Sequence, residues 1–438
     1  MPEEIKEQRF LNQFVRITTN FGNLIYFKAI RKAFSALTPV LVLIGLAALI
    51  EKGLLPLWMN GQVLEATQSR IVSSINLLSG LIGFILAGLC AFFLTESRGA
   101  GKSLLSVILA LAVFIVLLPG DSGYHFPRII RTITDCTGGI TGILYGTIVG
   151  LLSAGIFIAL CRVVEKRTVF LEQRLQLLLN LIWMAVSIIA VFTLFRVAGD
   201  WLETVFGTEW IIVLNSWIAY PLDSFFSSIL VVCLFFGLGN LIYCFGIDPT
   251  AITGTLTVPF LIVNVFANMM SYVNGQTAGH IVNLSFVSQF GMIGGCGSTL
   301  CLILALLLFG RRDTSRKLAK QNCRRGLFNI NQPLLFGMPV VFNMALVVPF
   351  TIVPVIGMLA AWLATALGWM NVCTIAIPAV TPPLLGVWLA TAGDWRAVIV
   401  QLVVIAAGTL IYRPFIGKSD QAQIKSAQAF KRSRSRQK

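Results

Sequence analysis

The second half of this 438-residue chain sets polar side chains into otherwise apolar sequence. Asn240, Asp248, Asn264, Asn268, Gln289, Asn329, Asn331, Gln332 and Asn343 interrupt runs of Leu, Ile, Val and Phe, together with Pro249, Pro259, Pro333, Pro378, Pro382 and Pro383. A carboxylate such as Asp248 can take a proton from a hydroxyl, whereas the amide of Gln332 can hydrogen-bond a hydroxyl but cannot act as a base. An acid at membrane depth is costly and marks a functional candidate. Asp248 also reads as the cap of a broken helix or as a residue at the aqueous edge, and Pro249 fits capping, since proline is favoured in the first helical turn. Gly294, Gly295 and Gly297 permit close backbone packing, or let a ligand approach main-chain donors.

The elements that position these groups must be built for lipid. Hydrophobic residues make up 57% of the chain and charged residues 12%, and the mean hydropathy is +0.85, which leaves too little polar surface to wrap a water-facing globule. A helix of about 20 residues crosses the hydrocarbon core. Apolar runs of that kind recur at Ala33 to Ile50, Val72 to Leu94, Ser103 to Leu118, Gly138 to Cys161, Leu178 to Val197, Ser224 to Phe245, Phe290 to Phe309, Pro333 to Leu367 and Val398 to Tyr412. The expectation is an all-α polytopic membrane protein with about ten transmembrane helices plus re-entrant hairpins and interfacial helices. The polar first 32 residues lack the apolar core of a cleavable signal, so the first crossing is read as the insertion signal.

A net charge of +15 could suggest nucleic acid, but its placement argues otherwise. Basic residues cluster between Arg311 and Arg325 and again from Lys418 to Lys438, both beside apolar helices. That is the positive-inside pattern, which puts both termini in the cytoplasm of a bacterial cell and the spans in its inner membrane. Arg128 and Arg131 fall on the opposite side and depart modestly from the pattern. No nucleic-acid-reading motif accompanies the charge. The nine cysteines lie mostly inside apolar runs and form no Cys-x-x-Cys pair, nor metal spacing with His125 or His280, so no metal or cofactor set is read from them.

Texture divides the chain into residues 1–199, read as an N-terminal transmembrane half; 200–222, an aromatic and acidic interfacial linker; 223–415, a half with broken helices; and 416–438, a basic cytoplasmic tail. Gly138, Gly142, Gly146, Gly150 and Ala154 form a small-residue stripe at four-residue spacing. Such a stripe lets a second helix approach closely, either within the chain or from another subunit.

Three blocks carry a resemblance. They are Gly-Gly-Cys-Gly-Ser-Thr-Leu from Gly294, Gly-Leu-Phe-Asn-Ile-Asn-Gln-Pro-Leu-Leu-Phe-Gly-Met-Pro from Gly326, and Leu-Ala-Thr-Ala-Gly-Asp-Trp-Arg from Leu389. Over about Phe235 to Phe415 the sequence resembles the enzyme IIC membrane subunits of the bacterial phosphotransferase system, in the lactose, cellobiose and diacetylchitobiose branch. The resemblance implies a homodimeric sugar permease, with a disaccharide as its sugar, whose N-terminal helices make the dimer contact and whose C-terminal half binds the sugar. It also implies a cytoplasmic partner, phosphorylated enzyme IIB, whose phosphocysteine supplies the phosphoryl group. Tyr243, Asp248, Asn329, Asn331, Gln332, Gly294, Gly295 and Gly297 are the implied substrate-binding positions, with Asp248 as the catalytic candidate.

The chain departs from the family pattern at three places. Phe245-Gly246-Ile247-Asp248-Pro249 stands where the family shows Phe-Gly-Ile-His-Gly, Asn331-Gln332-Pro333 where it shows Asn-Glu-Pro, and Ala379 where it often carries Trp. Asp248 could restore the carboxylate absent at Gln332, and Tyr243 could supply a flat face for a sugar ring in place of the aromatic absent at 379. The alternative is a degenerate IIC-type sugar sensor, or a facilitator without phosphoryl transfer. Interfacial polarity near the basic loop is the plainer reading of Asn329, Asn331 and Gln332, and Asp394 with Arg396 reads as a helix start. If Asp248 is the base, Asp248→Asn abolishes sugar phosphorylation; full activity in that variant removes Asp248 from the chemistry.

Overall fold

A computed structural model describes residues 24–99, 103–117, 139–168, 173–206, 213, 215–246, 253–338 and 343–436. Among these every regular element is helical, as lipid requires of backbone that must satisfy its own hydrogen bonds. The chain divides into two units after Phe225.

The first unit contains α1 (Ile25–Leu49), α2 (Gln62–Gly80), α3 (Ile82–Ser97), α4 (Ser103–Val116), α5 (Gly139–Thr168) and α6 (Gln173–Phe206). Apolar side chains gain little by leaving lipid for one another, so these helices associate through close packing. The small-residue stripe supplies it. A Cβ on Gly146 would strike the Gly83 carbonyl of α3, one on Gly150 the Ala87 carbonyl, and one on Gly83 the Gly142 carbonyl. Gly142, Gly146 and Gly150 are therefore a seam within the chain; Gly138 lies outside the described residues. Beside the seam Tyr145 packs edge-on to Phe114, with ring centroids 4.6 Å apart, and donates its hydroxyl to the Phe114 carbonyl at 3.1 Å. The Lys32–Glu96 pair at 3.0 Å is half exposed and contributes little.

The second unit contains α7 (Ile229–Tyr243), α8 (Val258–Val273), α9 (Thr299–Phe309), α10 (Asp313–Leu327), α11 (Met344–Ala366), α12 (Leu385–Ala390) and α13 (Trp395–Arg436). Long irregular stretches join them at 274–283, 292–298 and 367–384. Buried amides hold two of these together. Asn268 accepts from the His280 N–H at 3.0 Å and donates to the Cys373 carbonyl at 3.1 Å, while Asn283 donates to the same carbonyl at 2.9 Å. Ser285 donates to the Ile375 carbonyl at 2.8 Å. Asp394 accepts from the N–H groups of Arg396 and Asn371, at 2.9 and 2.7 Å, and so caps α13 as a helix start should.

The basic loop becomes an amphipathic helix. Ser315, Ala319, Asn322 and Gly326 form the buried face of α10, while Arg316, Lys317, Lys320, Arg324 and Arg325 are exposed. Asp420 of α13 is buried, and accepts from the N–H groups of Arg311 and Arg312 and from the Ser315 hydroxyl at 2.9, 3.3 and 3.1 Å. A carboxylate on these N–H groups anchors the start of α10.

Against the expected ten or so crossings, six helices among the described residues are long and apolar enough to span a membrane, seven if Ser216–Phe226 and Ile229–Tyr243 form one span; α4 and α8 are shorter apolar helices. Part of the difference lies in helix length and bending. The run read as Ser103 to Leu118 forms a helix of 14 residues, and the one read as Ser224 to Phe245 is bent by 64° between Phe226 and Ile229. The stretches read as Phe290 to Phe309 and from Pro333 each keep one span, the first interrupted at 292–298 and the second continuous only from Met344. The aromatic segment read as a linker from residue 200 begins as part of α6, which continues to Phe206. Gly146→Val should lower the thermal unfolding temperature of the purified protein, by an overpacking cost of about 1–3 kcal/mol; Gly53→Ala, where a Cβ meets nothing within 4 Å, should not.

Candidate functional site

The centre of the second unit is the turn between Met292 and Thr299. Gly294, Gly295 and Gly297 take φ of 81°, 106° and 72°, and Ser298 takes 51°. Side chains rarely adopt such values, and here space forbids them as well. A Cβ on Gly295 would strike the Asn331 amide, and one on Gly297 the Phe350 ring. Side chains at these positions would collide with their neighbours, so the glycine trio permits close packing.

Its main-chain donors are engaged by side chains from elsewhere in the unit. The Gly294 N–H donates to Asn329 Oδ1 at 2.7 Å and the Gly297 N–H to Asn240 Oδ1 at 3.2 Å. Tyr412, fully buried on α13, donates its hydroxyl to the Gly297 carbonyl at 2.7 Å. Thr299 donates to the Gly294 carbonyl, and Ser298 to the Gly291 carbonyl at 3.0 Å. In a low-dielectric interior each of these is expensive to leave unmade.

Asn329 sits at φ 59°, a left-handed conformation that asparagine tolerates better than most residues. While its oxygen accepts from Gly294, its Nδ2 donates to the Ala379 carbonyl. One amide therefore ties together the 292–298 turn, the 328–331 loop and the proline-rich segment 378–383. Asn331 donates to the Cys296 carbonyl at 3.4 Å. Gln401 does parallel work deeper down, accepting from the Leu384 N–H and donating to the Gln289 carbonyl at 2.6 Å.

Asn329, Asn331 and the three glycines are thus brought into direct contact. Tyr243 joins them through Phe350, on which its ring stacks with a 6.0 Å centroid separation and a 12° interplanar angle. Gln332 is exposed at the start of the short helix Gln332–Gly337. Asp248 lies outside the described residues. Reasoning on the sequence gave no site role to Asn240, Phe350 or Tyr412. Asn240 was visible as the amide within apolar α7, but nothing local to Phe350 or Tyr412 distinguishes them from core residues. No group of three or more His, Cys, Asp or Glu side chains converges among the described residues. The chemistry at hand is that of amides, an aromatic face and main chain, which suits recognition of a hydroxyl-rich solute.

Apolar helices in number, joined by amide-braced irregular segments, make this a multi-pass α-helical membrane protein. Residues 31–354 match the model of the family described as Phosphotransferase system, EIIC, and the chain belongs to that family. It is 37% identical over 145 residues to the PTS system cellobiose-specific EIIC component of Lactococcus lactis subsp. lactis (strain IL1403), a match covering 31% of this chain and 29% of that protein. It is 26% identical over 416 residues to the PTS system lactose-specific EIICB component of Lacticaseibacillus casei, covering 92% of this chain and 69% of the relative. The fold is that of the crystal structure of the transporter ChbC, the IIC component from the N,N'-diacetylchitobiose-specific phosphotransferase system, with a TM-score of 0.83 at 21% identity, over 96% of this chain and 99% of that one.

Asn329→Ala removes both ends of the brace. Hydrogen exchange of the purified protein should speed up at Gly294 and across 379–384, and stay unchanged around Asn268 and Cys373; unchanged exchange at Gly294 would show that Asn329 holds nothing in place.

Proposed function

We propose that this chain is the membrane subunit through which a phosphotransferase system takes up a sugar, with a disaccharide as cargo held in the second unit. The observation that carries this reading is the match of residues 31–354 to the EIIC family. Relatives named for cellobiose and lactose, both disaccharides, support the cargo class. The amide-braced turn beside Tyr243 and exposed Gln332 supports its location, because sugar hydroxyls need paired donors and acceptors on a rigid frame.

Asn329 and the glycine trio hold the frame, while Gln332, the partly exposed ring of Tyr243 and Asp248 are the groups assigned to meet the sugar. A hydroxyl oxygen of the sugar attacks phosphorus of a phosphocysteine on enzyme IIB, the P–S bond breaks, and the hydroxyl proton passes to Asp248. The relative named as an EIICB component supports a B component as phosphoryl donor. The basic face of α10 and the basic end of α13 support an orientation with both termini in the cytoplasm and the spans in the inner membrane of the cell. Dimerisation through the first unit belongs to the same reading, along a face other than the glycine seam, which α3 already fills.

Reconstituted protein, given labelled cellobiose and phosphorylated enzyme IIB, should release sugar phosphate into the compartment that holds IIB. Release of free sugar instead would identify a facilitator, and binding without uptake a sensor. Gln332→Leu, which loses both hydrogen-bonding groups of an exposed side chain, should weaken sugar binding by roughly ten-fold, the effect of about 1.4 kcal/mol; unaltered affinity in equilibrium binding would take Gln332 out of the site.

A further inference from the structure

Beside the end of α9 and the middle of α13, Phe309, Arg311, Arg413, Pro414, Gly417 and Lys418 line a cleft of about 370 Å³. Arg311 comes from the connection between α9 and α10, and Arg413 and Lys418 come from α13. The Arg413 guanidinium lies over the Phe309 ring at 4.9 Å and the Lys418 ammonium over the Phe415 ring at 5.9 Å. No acid lines the cleft. Asp420, two residues beyond Lys418, is buried and spends its oxygens on the Arg311 and Arg312 N–H groups and the Ser315 hydroxyl. Among the described residues no ion pair neutralises Arg311, Arg413 or Lys418.

The flank of the cleft is apolar and outward-facing. Leu308 of α9 and Leu410 of α13, each within three residues of a lining residue along the chain, are 63% and 58% exposed, and lie within Leu284–Phe309 and Trp395–Asp420, stretches long and apolar enough to span the bilayer. A free anion would use the cations alone. A phospholipid would use both features, with its phosphodiester against the guanidinium and ammonium groups and its chains along the exposed leucines. We propose that this cleft binds the headgroup of an anionic phospholipid. The site touches the machinery of the second unit at one remove, because Arg413 follows Tyr412, whose hydroxyl holds the Gly297 carbonyl.

The test uses the full chain in mild detergent, titrated with phosphatidylglycerol and read by native mass spectrometry, with phosphatidylcholine and inorganic phosphate as comparisons. The wild type should retain phosphatidylglycerol in preference to phosphatidylcholine. The double variant Arg413→Gln/Lys418→Gln, confined to exposed side chains, should bind it roughly thirty-fold more weakly, as expected for two cations at a membrane surface. Arg324→Gln/Arg325→Gln, on the exposed face of α10, should bind as the wild type does. The proposal falls if both double variants lose lipid equally, which would mean diffuse attraction to a basic surface. It falls equally if inorganic phosphate displaces the lipid at equal concentration, which would mean a free-anion site. Lipid binding that survives Arg413→Gln/Lys418→Gln while capture of phosphorylated enzyme IIB is lost would overturn it in favour of a protein contact.

Discussion

Backbone N–H and C=O groups released from a helix inside a membrane have no water to turn to, and each costs several kcal/mol if left alone. The second unit of this protein breaks its helices repeatedly and answers that cost with side-chain amides. Asn240 and Asn329 take the N–H groups of Gly297 and Gly294, and Asn268 and Asn283 share the carbonyl of Cys373. An amide suits the task because it offers a donor and an acceptor at once and carries no charge to desolvate.

That economy decides which groups are left for a ligand. Asn329 has the residue type of a sugar contact, and in this structure its amide oxygen accepts from Gly294 while its nitrogen donates to the Ala379 carbonyl. The glycines of the 292–298 turn are likewise filled in from outside, by Asn331 and Phe350. In the proposed reading, recognition passes to side chains at the margin of the frame. A rigid frame with few exposed polar groups is well matched to a solute whose hydroxyls must be counted and oriented, since little entropy remains to be lost on binding.

The first unit solves a different problem by different means. Its helices are nearly unbroken, and what they need is contact without a hydrophobic drive. Removing side chains along one stripe of α5 lets its backbone approach the backbone of α3 near Gly83 and Ala87. Charge is the third constraint, confined to sequence beside the apolar helices. There Asp420 fixes the start of α10, and the cations of α10 stand on its exposed face.

Much of this was legible in one dimension because it depends on solvent. Apolar runs, positive flanks and the concentration of amides and prolines after residue 235 all follow from the cost of polarity in lipid, which acts on each residue whatever its neighbours. The helix start at Asp394 and the stripe at Gly142, Gly146 and Gly150 were readable for a similar reason, since capping and small-residue periodicity are local. Tertiary structure alone decided the partners. Whether the stripe met its own chain or another, that Asn329 reaches a carbonyl fifty residues away, and that Tyr412 and Phe350 belong to the central turn all depend on contacts between segments distant in sequence. No local pattern encodes such contacts, because a buried tyrosine that holds a turn and one that only fills space have the same neighbours along the chain.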